Sequence, residues 1–159
     1  TTQKPKSVID SQIEYYTNYC ANTHRSSFSE ANSATKEFEN TRKILQRHIN
    51  AKSSDEIIFT KGATESINFI ASSFAYKFDT VIISSLEHHS NIVPWHMQNR
   101  TLHAGLEVVN CDENLCFDIQ HFESILQQNP NALVSITHIS NAFGVVHDIK
   151  TIIQIAHKY

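Results

Sequence analysis

Short apolar runs alternate with helix-like segments from residue 56 onward, and this order constrains the fold more than any other feature. The runs at 56–60, 80–84, 106–109 and 132–136 are rich in β-branched residues and predict strands. Each is followed by a polar turn and, in most cases, by apolar residues at helical spacing. Strand-then-helix repeats are typical of an α/β fold, so we expect a mostly parallel sheet with flanking helices joined by right-handed crossovers.

The first 55 residues follow a different pattern. A polar arm precedes a helix-like segment that begins near Val8, and a second, longer helix is predicted to end near Ala51. Ser27 and Glu30 have the spacing of a capping box at the start of that long helix. The sequence therefore divides into an N-terminal arm with helices, residues 1–55, and an α/β part, residues 56–159.

Composition excludes several classes of protein. Hydrophobic residues make up 40% and charged residues 18% of the 159, which is typical of a soluble globular domain. A formal net charge of −3, without a basic cluster, argues against nucleic-acid binding. No apolar run reaches the roughly 18 residues of a membrane span and no signal-peptide pattern is present, so we expect no membrane contact and a cytoplasmic location.

The turn at Gly62 predicts an anion site. A helix that opens at Ala63 and Thr64 has first-turn N–H groups without intrahelical partners, and its dipole adds partial positive charge there. The Thr64 hydroxyl adds one more donor for a phosphate. An ordinary strand-to-helix turn is the alternative, because a single glycine gives neither a P-loop nor a dinucleotide-binding pattern.

Three polar loops follow predicted strands, at residues 62–64, 87–91 and 138–144. The carboxyl ends of parallel strands face one crevice, where open α/β sheets bind ligands. We therefore expect Thr64, His88 and Asn141 to approach one another. A zinc site is disfavoured: the chain has ten histidines, but none forms a convincing three-ligand pattern, and Cys111 with Cys116 is a lone pair.

Four motifs carry a family resemblance. They are NTHR at 22–25, FTKGATESIN at 59–68, EHHSNIVPW at 87–95 and SNAFG at 140–144. In order and spacing they resemble the group II, selenocysteine-lyase-like cysteine desulfurases of the class V aminotransferase family, which are fold-type I enzymes dependent on pyridoxal 5′-phosphate (PLP). The resemblance covers essentially the whole chain. It implies that residues 56–159 are the first, incomplete part of the PLP-binding large domain.

The resemblance also implies site residues, cofactor and partners. It implies that Ala63 and Thr64 hold the PLP phosphate, that His88 stacks on the pyridine ring, and that Asn141 lies beside the phenolic oxygen. It implies that His24 and Arg25 contact substrate or a partner subunit. The implied substrate is cysteine or selenocysteine, and the implied partners are a second copy in a homodimer and a sulfur-acceptor protein. The structural alternatives are a solvated or helix-capping His88 and an Asx turn at Asn141.

The resemblance also has gaps. The family's Schiff-base lysine and persulfide-forming cysteine match positions beyond Tyr159, so we expect this chain to be a fragment without desulfurase activity of its own. Many relatives have glycine where this chain has Ser26. Two alternatives stay open: another class V enzyme, such as a transaminase, or a non-catalytic scaffold that lacks the lysine.

Overall fold

The computed structural model describes residues 2–25, 27–102 and 105–159, so Ser26 lies outside the described residues. The chain forms two units, one up to Phe59 and one from Thr60 onward. In chain order the main elements are α1 (Lys6–Glu14), α2 (Ser29–His48), α3 (Ala63–Phe74), β1 (Thr80–Ser84), α4 (Val93–Leu102), β2 (Gly105–Val109), α5 (Ile119–Gln128), β3 (Ala132–Val134) and α6 (Ile149–Ala156).

The N-terminal unit is helical. A π-helical turn, Tyr15–Tyr19, extends α1, and α2 buries Ala31 and Ala34. The predicted capping box is wrong, because α2 begins after Phe28 and no side chain caps it. The Ser29 hydroxyl instead donates to the Glu30 carboxylate at 2.7 Å, and this bond holds the pKa of Glu30 below its ordinary value.

The strand predicted at 56–60 is also not formed. The backbone is extended at Ile57, but within the described residues nothing pairs with this segment as a β-ladder. The Arg42 guanidinium donates to the Ile57 carbonyl and lies 5.2 Å from the ring centres of Phe38 and Phe59. The Ile57 carbonyl and the Phe59 ring therefore contact Arg42 of α2 within the same unit. A β-branched composition alone does not create a strand.

The second unit contains a parallel sheet, as predicted. Its described strands have the order β2-β1-β3, and Thr80 aligns with Gly105 on one side and with Ala132 on the other. All five residues of the central strand β1 are buried. Since the three strands run in the same direction, their carboxyl ends lie at one edge of the sheet.

Helices bury both faces of β1. Ile82 belongs to one core, which also contains Val109 and side chains of α5 and α6. Val81 and Ile83 belong to a second core with Trp95 and two alanines of the α3 region. Asp118 caps α5, because its carboxylate accepts the His121 N–H at 2.9 Å at the start of that helix. No helix of the described chain has the length and apolar character needed to cross a membrane.

Candidate functional site

One pocket lies where the start of α3 meets the loops that follow β1 and β3. Its volume is about 600 Å³. Ala63, Thr64, His88 and Asn141, the four predicted cofactor residues, all line it. The other lining residues come from the same three segments: Ile67, Glu87, Ser90, Asn91, Ser135, Ile136, Thr137 and Ile139. The structure thus brings together side chains from three distant parts of the sequence.

A second cavity, of about 420 Å³, lies between β3 and α6. Most of its lining is aliphatic, and its histidines, His138 and His157, lie in separate segments. Recognition of a polar ligand requires several convergent donors and acceptors, which the first pocket has and this cavity lacks. The pocket of the three loops is therefore the candidate site.

Local hydrogen bonds fix the start of α3. Gly62 has φ +159°, a conformation that L side chains rarely adopt. The Glu65 carboxylate accepts the Lys61 N–H at 2.5 Å, and Thr60 Oγ1 lies 2.7 Å from Ser66 Oγ. Glu65 is an acidic residue in the first turn of α3, where a negative charge is favoured by the helix dipole. The amides of a helix's first turn lack intrahelical acceptors, so they are available to an anion in the pocket.

The His88 imidazole caps the short 3₁₀ helix His89–Asn91. Its Nδ1 accepts the Ser90 N–H at 3.1 Å and lies 2.8 Å from Ser90 Oγ. A backbone N–H can only donate, so Nδ1 must be unprotonated in this arrangement. The neutral ring then carries its proton on Nε2. The helix-capping role named as the alternative is therefore present, and among the described residues Nε2–H has no acceptor.

Asn141 is exposed at the turn of the loop after β3. This loop is closed by the Ser140 N–H, which donates to Val145 O at 2.9 Å, and by the Gly144 N–H, which donates to Ser140 O at 2.8 Å. Within the described parts of the chain, the Asn141 side chain makes no hydrogen bond, so it does not form the alternative Asx turn. Its amide is available to a ligand.

Glu87 and Asn91 also line the pocket, although the motifs alone predict no role for them. The Glu87 carboxylate accepts the Thr137 N–H at 2.7 Å, and Asn91 is buried and bonded to Ser135. The signal that could have found them is the spacing: a carboxylate and an amide four residues apart, followed four residues later by a buried tryptophan.

His24 and Arg25 lie in the N-terminal unit. His24 has φ +61°, its Nε2 is 3.2 Å from Glu39 Oε1, and its ring packs edge-on against Phe38. Arg25 is exposed. His24 therefore has a structural role within its own unit, and contact of either residue with substrate or a partner subunit stays a prediction.

Comparison with known proteins identifies the family of the chain. The family model for aminotransferase class-V matches residues 1–159. The chain belongs to the class V aminotransferase family. A probable cysteine desulfurase from Synechocystis is 39% identical over 99% of this class V chain, which covers 38% of that relative.

Two solved structures share the fold of this class V chain. The apo structure of a cysteine desulfurase from Thermococcus onnurineus NA1 has a TM-score of 0.91 and 33% identity, with 99% of this chain and 40% of that one covered. SspA in complex with cysteine has a TM-score of 0.85 and 25% identity, with 99% and 46% covered. The fold prediction is therefore confirmed. The chain spans between 24% and 40% of the length of these curated relatives.

Proposed function

We propose that this chain forms part of a PLP-dependent cysteine desulfurase. The complete enzyme would remove sulfur from cysteine and leave alanine and an enzyme persulfide. The observation that carries the proposal is the single pocket lined by Ala63, Thr64, His88 and Asn141. The names of the relatives support the same reaction. In this proposal residues 1–55 form an N-terminal arm with helices, and 56–159 begin the PLP-binding domain.

The donor set of the pocket fits PLP. Its volume of about 600 Å³ lies within the range of small-molecule sites. The first-turn amides of α3 and the Thr64 hydroxyl match a phosphate dianion, because a helix N-terminus favours negative charge. Within the described residues, the Thr64 hydroxyl makes no hydrogen bond, so it can donate to a phosphate.

When bound, PLP supplies an electron sink that stabilises negative charge developing on an amino-acid substrate. Ala63 and Thr64 would hold its phosphate, and the His88 imidazole would pack against its ring. The Nε2–H of His88 can donate a hydrogen bond at the pocket wall, since Nδ1 accepts the Ser90 N–H. The Asn141 amide can donate to an oxygen of the cofactor or of the substrate carboxylate.

Substrate and partners are part of the proposal. The substrate is cysteine, with selenocysteine as the related possibility, and SspA, a structural neighbour, was solved in complex with cysteine. We propose that the lysine that bonds PLP and the persulfide-forming cysteine lie in the part of the full-length protein that follows Tyr159. None of Cys20, Cys111 and Cys116 lines the pocket. A homodimer, a sulfur-acceptor protein, and contact of His24 or Arg25 with substrate or partner complete the proposal.

The test uses the full-length protein with PLP and cysteine. We expect bound PLP by its visible absorption, and alanine and sulfide as products. Keto acid without sulfide would identify a transaminase of the same family, and absence of bound PLP would identify a non-catalytic scaffold. Thr64→Val should weaken PLP binding about tenfold, because a hydrogen bond to a charged group contributes about 1.5 kcal/mol or more. Thr41→Val, on the exposed face of α2, is the matched control.

A further inference from the structure

Glu87 joins two loops that are far apart in sequence. Its Oε1 accepts the Thr137 N–H at 2.7 Å and the Ser84 hydroxyl at 2.7 Å. Its Oε2 accepts the Asn91 side-chain N–H at 2.9 Å. With three donors on its two oxygens, this carboxylate is occupied within the protein. It is therefore poorly suited to serve as a proton acceptor for a ligand, although it lines the pocket.

The Asn91 amide uses its whole hydrogen-bonding capacity. Its Nδ2 donates to Glu87 and to the Ser135 carbonyl at 3.0 Å. Its Oδ1 accepts the Ser135 hydroxyl at 2.6 Å and the Trp95 Nε1–H at 2.9 Å. The indole can only donate, and the carbonyl and carboxylate can only accept, so one orientation of the amide satisfies all its partners. Asn91 is 7% exposed, and an unpaired polar atom at this depth would be costly.

These two side chains are the link between the loops. Within the described residues, every hydrogen bond between 85–92 and 135–141 involves Glu87 or Asn91. His88 lies between them in sequence, and Asn141 follows the segment that they hold. A displacement of about 1 Å in a binding group can lower binding or activity by a large factor. The hydrogen bonds of Glu87 and Asn91 therefore help to set the spacing of the two loops at the site.

We propose that Glu87 and Asn91 are positioning residues, which fix the loops that carry His88 and Asn141 at the spacing required by the ligand. The proposal rests on the proposed function in assigning PLP as that ligand. The link itself depends only on the observed hydrogen bonds.

Two substitutions and their combination test the link. Glu87→Gln replaces one acceptor by a donor that faces the Asn91 N–H, and Asn91 cannot rotate its amide because Trp95 requires its oxygen. Asn91→Asp places two carboxylates against each other. In the double variant E87Q/N91D, the new glutamine amide donates to the new aspartate, whose other oxygen still accepts from Trp95 and Ser135. The Ser135 carbonyl alone then loses its donor and faces an aspartate oxygen instead, so most rather than all of the link is restored.

The first readout is amide hydrogen exchange of the full-length protein without PLP. We expect Glu87→Gln to accelerate exchange at residues 135–141 at least tenfold, and the double variant to return most of the protection. The second readout is PLP affinity, which should fall about tenfold or more in each single variant and recover to within about threefold in the double variant. Glu87 is half-buried and Glu87→Gln keeps the size of the side chain, so this variant should fold even if Asn91→Asp does not.

Phe122→Leu is the control for a loss of affinity that merely follows a loss of stability. Phe122 lies in the core that contains Ile82, not in the core that contains Trp95, the partner of Asn91. Wild-type affinity in Glu87→Gln, no recovery in the double variant, or an equal loss in Phe122→Leu would overturn the positioning role. If the wild-type protein binds no PLP, the proposed function fails. In that case the exchange rates at 135–141 still decide whether the link holds the loops.

Discussion

Replacing His147 by leucine should stabilise the protein. His147 is 4% exposed, and within the described residues its Nε2 has no hydrogen-bond partner. Its ring packs edge-on against Phe117, with ring centres 5.8 Å apart. The ring borders a cavity of about 290 Å³ between the loop after β3, the start of α6 and residues 116–119. A buried polar atom without a partner lowers stability, so an apolar side chain of similar size should be better tolerated.

The magnitude follows from two opposing effects. Removing the unpaired Nε2 should recover about 2 kcal/mol, within the range of about 1–3 kcal/mol for a buried unsatisfied group. Loss of the edge-on ring contact should cost about 1 kcal/mol. The net gain of about 1 kcal/mol should raise the midpoint of urea unfolding by about 0.3–0.5 M, given a slope of about 2–3 kcal/mol/M.

The matched control is His96→Leu, which makes the same change at an exposed position of α4. Its effect should lie within about 0.5 kcal/mol of zero, as for most surface substitutions. An unchanged or lower midpoint in His147→Leu, with an unchanged slope, would refute the reasoning. It would show that Nε2 is hydrogen-bonded in the folded protein.

Three further predictions concern the second unit. Gly105→Ala would place a Cβ 2.8 Å from Oγ1 of the buried Thr80, so urea unfolding should show a loss of about 1–3 kcal/mol, which Thr80→Ala in the same chain should partly reverse. Phe122→Ala removes a fully buried ring and should cost about 3–5 kcal/mol by the same measurement. The Thr151 hydroxyl and N–H hold the pKa of Asp148 below its ordinary value of 3.8, so this carboxylate stabilises α6 at neutral pH and loses that effect as the pH falls through the lowered pKa. Asp148→Ala should therefore be less stable than wild type at pH 7, with a difference that shrinks below pH 3.8 in pH-dependent unfolding, whereas Asp148→Asn should keep most of the cap.

The sequence predicts elements whose signal is local. β1 is a continuous apolar run, and Asp118 stands immediately before an amphipathic segment, so strand and cap form where the pattern indicates. The predictions at 56–60 and at Ser27 fail because each depends on a partner. A strand needs a neighbouring strand, and a capping box needs the helix to begin directly after the serine.

Convergence of the site follows from topology, whereas its internal bonds do not. Parallel strands bring the loops after β1 and β3 to one edge of the sheet, so His88 and Asn141 can be placed in one crevice from the sequence alone. The alignment of Ile82 with Val134 decides which atoms of those loops meet. Beyond the strand ends, the Glu87 carboxylate accepts the Thr137 N–H, a contact across 50 residues that departs by two residues from the strand register.

The same limit applies to the chemistry of His88. Its place in the EHH motif indicates an imidazole at the pocket, but the ring's proton position depends on which donor reaches Nδ1. The Ser90 N–H reaches it only because residues 89–91 form a 3₁₀ turn, and Asn91 bonds to Ser135 at the end of that turn. A change at Asn91 should therefore reach His88 through the backbone of this turn. The identity of the site residues can therefore be predicted from local sequence motifs. Their spacing and the proton position of His88 depend on the contact between the loops that follow β1 and β3.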